Sequence, residues 1–319
     1  MNRHEICKPL AIVSFVVFFL YAACPPAHAQ TVKEYQGQAG QLVRSYKFQE
    51  AIELLRTGLG QYPSETALVE QLGKVLVQAG QVDEGERLLQ KVLAKRPHDP
   101  EILSSLAEAY LRQGKHASAI PLLVDSLWHK PDDGRTSHQL AHALFLNGEF
   151  SRALEQARHS VELDSLDPRY RRLYALLLEI QGQKNESYQQ LKIAHRFAPQ
   201  DASLLFQLSE KERLAGKLHQ ALQSLRMASR LDPENPLYHS ALSEVYGQLG
   251  EKAMSIEEAD RARNLTLAFE AYADSLALAM KGQKAEAARI LEPLVERKDR
   301  KSTRLNSSHI QKSRMPSSA

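Results

Sequence analysis

Along most of the chain, apolar residues recur with the spacing of a helix that buries one face and exposes the other. In residues 107–121, AEAYLRQGKHASAIP, a helix-forming run ends at Gly114 and a second run follows at once. Glycine accepts the left-handed backbone conformation that ends a helix, so this stretch predicts two short helices joined by a tight turn.

The same unit recurs every 34 residues. One series is the turn glycine, at Gly80, Gly114, Gly148, Gly182, Gly216 and Gly250. A second is a proline, at Pro63, Pro97, Pro131, Pro199 and Pro233, with Ser165 in the remaining place. A third is an acid or asparagine, at Glu65, Asp99, Asp133, Asp167, Asp201 and Asn235. The chain has only 15 glycines, so six in register indicate a true repeat.

We number each repeat from the residue that follows the acid or asparagine. Small residues then occupy positions 8 and 20. Position 8 holds Gly73, Ala107, Ala141, Ala175, Ser209 and Ser243, and position 20 holds Gly85, Ala119, Ala153, Ser187, Ala221 and Ser255. Small side chains let two helix backbones approach closely, and the larger residues around them fill the remaining space. The acid is expected to cap the next helix, and the proline to stop the preceding one.

This pattern resembles the tetratricopeptide repeat. The resemblance implies an all-α fold, a right-handed superhelical solenoid of antiparallel helix pairs. A degenerate first repeat is expected over 30–65, six full units over 66–269, and a partial eighth repeat or capping helices over 270–297, with Gly282, Ala287 and Leu291. Departures from the family pattern include Glu212 at the usually large position 11, Arg171 at position 4, and Pro121, which falls inside a second helix and should disturb its early turns.

The first 29 residues have the features of an export signal. Arg3 and Lys8 precede the apolar run LAIVSFVVFFLYAA, and Ala27-His28-Ala29 predicts cleavage before Gln30. The expected location is therefore the periplasm or the cell exterior. Two alternatives remain open: an uncleaved membrane anchor, and a lipid anchor at Cys24, because YAAC resembles a lipobox. Both cysteines, Cys7 and Cys24, lie in this segment, so the cleaved chain would have no thiol chemistry.

The charge is uneven along the chain. The formal net charge of +3 comprises +1 in residues 1–29, +5 in residues 298–319 and −3 between them. That balance does not suggest a nucleic-acid-binding protein. The tail over 298–319 is read as disordered or artefactual, since STRLNSSH resembles translated adapter sequence; in the second case the natural chain would continue past about residue 300.

Catalytic motifs are scarce, so no enzyme activity, cofactor or metal is predicted. His138 and His142 lie at i and i+4 on one helix face, like the histidines of the HExxH zinc helix, but Gln139 replaces the glutamate that would act as the base. No third ligand is evident nearby. The pair is therefore interpreted as part of a solvated helix face.

The resemblance also implies a binding surface, because first helices line the concave groove in this family. The corresponding residues are Arg135, His138, His142, Arg169 and Arg172, which would form a basic patch, and Phe206, Glu210 and Arg213 further along. The predicted function is a scaffold that binds an acidic or carboxylate-bearing partner peptide there, in the cell envelope. One alternative is that these residues are ordinary solvated side chains. Another is that the chain is the N-terminal arm of a longer enzyme, such as a glycosyltransferase or peptidase.

Overall fold

The computed structural model describes residues 30–281, 283, 286, 289 and 290, and these residues form helices and no strands. The chain divides into two compact units, one up to Asp164 and one from Ser165 onward. Unit 1 contains α1 (Val32–Arg44), α2 (Phe48–Gln61), α3 (Thr66–Gln78), α4 (Val82–Leu93), α5 (Pro100–Arg112), α6 (His116–His129), α7 (Gly134–Leu146) and α8 (Phe150–Leu163). Unit 2 contains α9 (Pro168–Ile180), α10 (Lys184–Phe197), α11 (Ala202–Leu214), α12 (Leu218–Leu231), α13 (Pro236–Gln248) and α14 (Lys252–Met280). The all-α fold of paired helices predicted from the sequence is confirmed.

The turn glycines end the first helix of each pair as predicted. All six have positive φ, between 72° and 85°. At Gly114 the amide donates to the Leu111 carbonyl at 3.1 Å, and the Lys115 amide donates to the Tyr110 carbonyl at 2.8 Å. These two bonds satisfy carbonyls that the end of α5 would otherwise leave without donors. In the degenerate first repeat Tyr46 takes the same conformation, with φ of 59°.

The acid of each repeat caps the next first helix, which the sequence also predicted. Asp99 accepts hydrogen bonds from the amides of Glu101 and Ile102 at 3.1 and 3.3 Å. The same role falls to Glu65, Asp133, Asp167, Asp201 and Asn235. Each cap satisfies at least one amide that has no partner within the helix.

Adjacent repeats share their apolar cores within each unit. In unit 1, Val77, Leu89, Leu106 and Ala109 form one buried cluster drawn from α3, α4 and α5. In unit 2, Leu205, Ala228 and Tyr238 form another, drawn from α11, α12 and α13. A helix pair therefore buries its apolar face against the next pair along the chain, which is how stability accumulates in a repeat protein.

Polar partners accommodate the departures from the repeat pattern. Glu212 is buried on α11, where it accepts from the Tyr188 hydroxyl at 3.3 Å and from Ser224 Oγ at 2.8 Å. Arg171 donates to Gln190 Oε1 at 2.7 Å and to the Ser165 carbonyl. The helix α6 continues through Pro121 from His116 to His129, so the expected disturbance does not interrupt it.

The last helix of unit 2 differs from the expected organisation. It runs without a break from Lys252 to Met280, across the predicted unit boundary between residues 269 and 270. Leu267 and Phe269 occupy the places of the proline and the capping acid, so nothing in the sequence stops the helix there. Gly282, Ala287 and Leu291 of the predicted eighth repeat lie outside the described residues.

The export signal over 1–29, with Cys24, and the tail over 298–319 also lie outside the described residues. Among the helices that are described, none combines the length and the apolar character needed to cross a bilayer.

Candidate functional site

Unit 1 has a polar recess of about 260 Å³ along the faces of its first helices, called here the unit 1 groove. Helices α3, α5 and α7 supply most of its walls, because equivalent positions of successive repeats fall side by side. The lining residues are Lys74, Val77, Gln78, Glu101, Ser104, Ser105, Glu108, Lys130, Asp133 and Arg135. Of the residues predicted for the binding surface, Arg135 is among those that line this recess.

Ion pairs connect neighbouring first helices across the unit 1 groove. Lys74 Nζ lies 3.3 Å from Glu101 Oε2, and Arg135 Nη2 lies 3.0 Å from Glu108 Oε2. In both pairs, position 9 of one repeat meets position 2 of the next. The groove therefore carries acids and bases in alternation rather than a single sign of charge.

Glu70, one helical turn before Lys74 on α3, extends this network. Lys74 donates to its carboxylate at 2.6 Å, and Arg96 contacts the second carboxylate oxygen. Burial acts to raise the pKa of Glu70, but the hydrogen bonds from Lys74 and Arg96 outweigh it and hold the pKa below its ordinary value. Glu70 therefore stays ionised at neutral pH and fixes both cations.

The unit 1 residues of the predicted basic patch differ in charge. Arg135 is exposed over 64% of its side chain, and Glu108 offsets its charge. His138 and His142 lie on the same helix, α7, with His138 half-buried. Desolvation by the surrounding protein lowers the pKa of His142, and the nearby His116 lowers it further. His142 is therefore neutral at neutral pH and adds no positive charge to that of Arg135.

In unit 2, both predicted arginines contact carboxylates that cap helices. Arg169 Nε donates to the two oxygens of Asp167 at 3.0 and 3.1 Å. Arg172 donates to Asp201 Oδ2 at 3.2 Å and to Ser203 Oγ at 3.3 Å. A ligand carboxylate would have to share or displace these contacts.

The three remaining predicted residues lie together on α11. The half-buried ring of Phe206 packs against Tyr238 with the ring centroids 5.4 Å apart, and so contributes to the core between two helices. Glu210 and Arg213 form an ion pair at 2.8 Å. The two charged side chains on this face of α11 are therefore of opposite sign.

Sequence reasoning missed Lys74, Glu101 and Glu108 as lining residues of the unit 1 groove. The signal that could have found them is a pair of opposite charges 27 residues apart, at positions 9 and 2. The sequence analysis also did not predict the group formed by His98, Asp125 and His129. This group is the one set of three or more potential metal ligands found among the described residues. The predicted HxxxH pair, His138 and His142, is not part of such a set.

Comparisons with known proteins agree on the repeat. The family model described as "Tetratricopeptide repeat" matches residues 42–109 and 110–177. No curated protein sequence matches the chain.

Solved structures with a similar fold include a tetratricopeptide repeat protein from Parabacteroides merdae, 16% identical, with a TM-score of 0.53 over 73% of this chain and 92% of that one. Another is a thermophilic TPR protein from Thermus thermophilus, 19% identical, with a TM-score of 0.50 over 56% of this chain and 97% of that one. A MamA fragment from Desulfovibrio magneticus is 17% identical, with a TM-score of 0.46 over 55% of this chain and 99% of that one. The first two support the repeat fold.

Proposed function

We propose that this chain, in which a tetratricopeptide-repeat family model matches residues 42–109 and 110–177, is a scaffold that holds an extended partner peptide against the first helices of its repeats. The observation that carries this proposal is the unit 1 groove, an open polar recess of about 260 Å³ beside a buried apolar core. A groove built on rigid helices loses little conformational entropy on binding, so many modest contacts can add up to useful affinity. No bond is made or broken in this role.

The peptide that suits the unit 1 groove carries carboxylates. A guanidinium has five N–H donors, and the contact with Glu108 is made through one terminal nitrogen of Arg135. An incoming carboxylate can therefore bind Arg135 through two parallel hydrogen bonds while competing with Glu108. This competition makes the expected affinity moderate and sensitive to salt.

Two substitutions in this ion pair should change acidic-peptide binding in opposite directions. Arg135→Ala is expected to weaken the binding of acidic peptides selected from a random library by about 10-fold, the loss of one charged hydrogen-bonded contact. Glu108→Gln removes the competing carboxylate and should strengthen it. Fluorescence anisotropy with a labelled peptide and its Asn/Gln counterpart measures both effects.

A matched control is available on α8, the second helix of the repeat that contains Arg135. Arg158 also has 64% of its side chain exposed and lies 3.7 Å from Glu162, but it does not line the unit 1 groove. Arg158→Ala should leave the affinity unchanged. Equal weakening by Arg135→Ala and Arg158→Ala, or selection of peptides without acidic residues, would contradict the carboxylate assignment.

We propose that this scaffold works in the cell envelope after export, on the strength of the signal pattern in residues 1–29. Cleavage before Gln30 would leave intact the capping box of α1, in which Thr31 and Glu34 each bond the other's backbone amide. N-terminal sequencing of the protein from a periplasmic fraction is expected to begin at Gln30. A lipid anchor would instead give a membrane-bound chain beginning at Cys24, and a cytoplasmic chain that retains Met1 would refute export.

A further inference from the structure

Three side chains of metal-binding type that are not among the residues lining the unit 1 groove meet on unit 1. His98 lies in the turn between α4 and α5, while Asp125 and His129 lie one helical turn apart on α6. One ligand atom from each residue can be chosen so that all three lie within 4.8 Å of one another. We propose that His98, Asp125 and His129 form a binding site for a divalent transition metal ion of the zinc class.

The distances suit a small tetrahedral ion. Asp125 Oδ2 lies 3.6 Å from His98 Nδ1, and Asp125 Oδ1 lies 3.5 Å from His129 Nε2. Zinc binds histidine nitrogen and carboxylate oxygen at about 2.0–2.2 Å, which places neighbouring ligand atoms of a tetrahedron about 3.4 Å apart. Small side-chain rotations would bring the three atoms to that spacing. All three side chains are partly or fully exposed, so the surrounding protein leaves room for these rotations.

The arrangement exceeds what an ion pair needs. Two imidazoles face the same carboxylate, and their ring centroids are 5.1 Å apart. A single metal ion at this point could accept one lone pair from each imidazole and one from the carboxylate.

The donor set selects the class of ion. Two imidazoles and one carboxylate favour zinc, copper or nickel, whereas magnesium and calcium prefer oxygen ligands throughout. Three protein ligands leave a fourth position for water or for a ligand from another molecule. A bound ion would join the turn that ends the repeat over 66–99 to the second helix of the next repeat, and so would hold two repeats together.

The direct test is a calorimetric titration of the purified, tag-free protein with zinc chloride. One site is expected, and His98→Ala or His129→Ala should weaken zinc binding by at least about 100-fold. Trp128, the only tryptophan of the chain, precedes His129 and is 83% exposed. Copper(II) bound at this site should therefore quench its fluorescence in the parent protein and much less in either variant.

His159→Ala is the matched control, because His159 is a partly exposed histidine that lies 3.8 Å from Glu162 and belongs to no group of three potential metal ligands among the described residues. It should bind zinc as the parent protein does. Zinc should also raise the melting temperature of the parent protein and of the control, but of neither ligand variant. Absence of zinc binding, or equal zinc affinity in the parent protein and both ligand variants, would overturn the proposal.

Discussion

Replacing Leu106 with alanine is expected to lower the free energy of unfolding by about 2–5 kcal/mol. Leu106 is 3% exposed and packs with Val77, Leu89 and Ala109, so truncation leaves a cavity between two repeats. Leu140, 4% exposed on α7, should behave in the same way. Denaturant unfolding followed by circular dichroism measures the loss.

Leu146 provides the comparison for Leu140, because it lies on the same helix and is 41% exposed. Leu146→Ala should cost about 1 kcal/mol or less, since it gives up a smaller buried area. Unfolding curves for Leu106→Ala and Leu140→Ala that match the parent protein would mean that these side chains do not form the shared core.

Gly85→Ala is expected to destabilise the protein by about 1–3 kcal/mol, although alanine is the better helix former. A Cβ atom at Gly85 would lie 2.7 Å from Val77 Cγ2 and 2.9 Å from the Gly73 carbonyl oxygen. The second contact is with backbone, so α3 and α4 would have to move apart. Thermal melting with circular dichroism detection reports the change.

Gly60→Ala should have the opposite effect and raise the free energy of unfolding by about 0.5–1 kcal/mol. Gly60 lies within α2, is exposed, and has no atom within 4 Å of an added Cβ. The two substitutions are chemically identical and differ in surroundings alone. Stabilisation by both would show that α3 and α4 do not pack as closely as the small residues at positions 8 and 20 indicate.

The helix pairs could be predicted from the sequence because local chemistry specifies them. A glycine that must take positive φ, such as Gly114, and a carboxylate that caps a helix, such as Asp99, act on their own few residues. The same reasoning explains why α14 was predicted less well. This helix continues because Leu267 and Phe269 stand where most other repeats have a proline and a capping residue. The prediction placed a repeat boundary there although these residues do not stop a helix.

The candidate site was harder to predict because it depends on contacts between repeats. The sequence places Arg135 on the expected helix face, but its pairing with Glu108 depends on how α5 and α7 lie side by side. The cluster of His98, Asp125 and His129 depends in the same way on how a turn meets α6. Spacing along one helix cannot reveal either arrangement.

Photo-cross-linking of a selected acidic peptide tests most directly the claim that the first-helix face holds the partner. A photoreactive residue at position 104 would lie in the unit 1 groove, where Ser104 is one of the lining residues. The same residue at position 90 would replace the exposed Gln90 on the second helix α4. We predict a peptide adduct at position 104 and none at position 90. An adduct at position 90 without one at position 104 would place the partner on the other face and contradict the account.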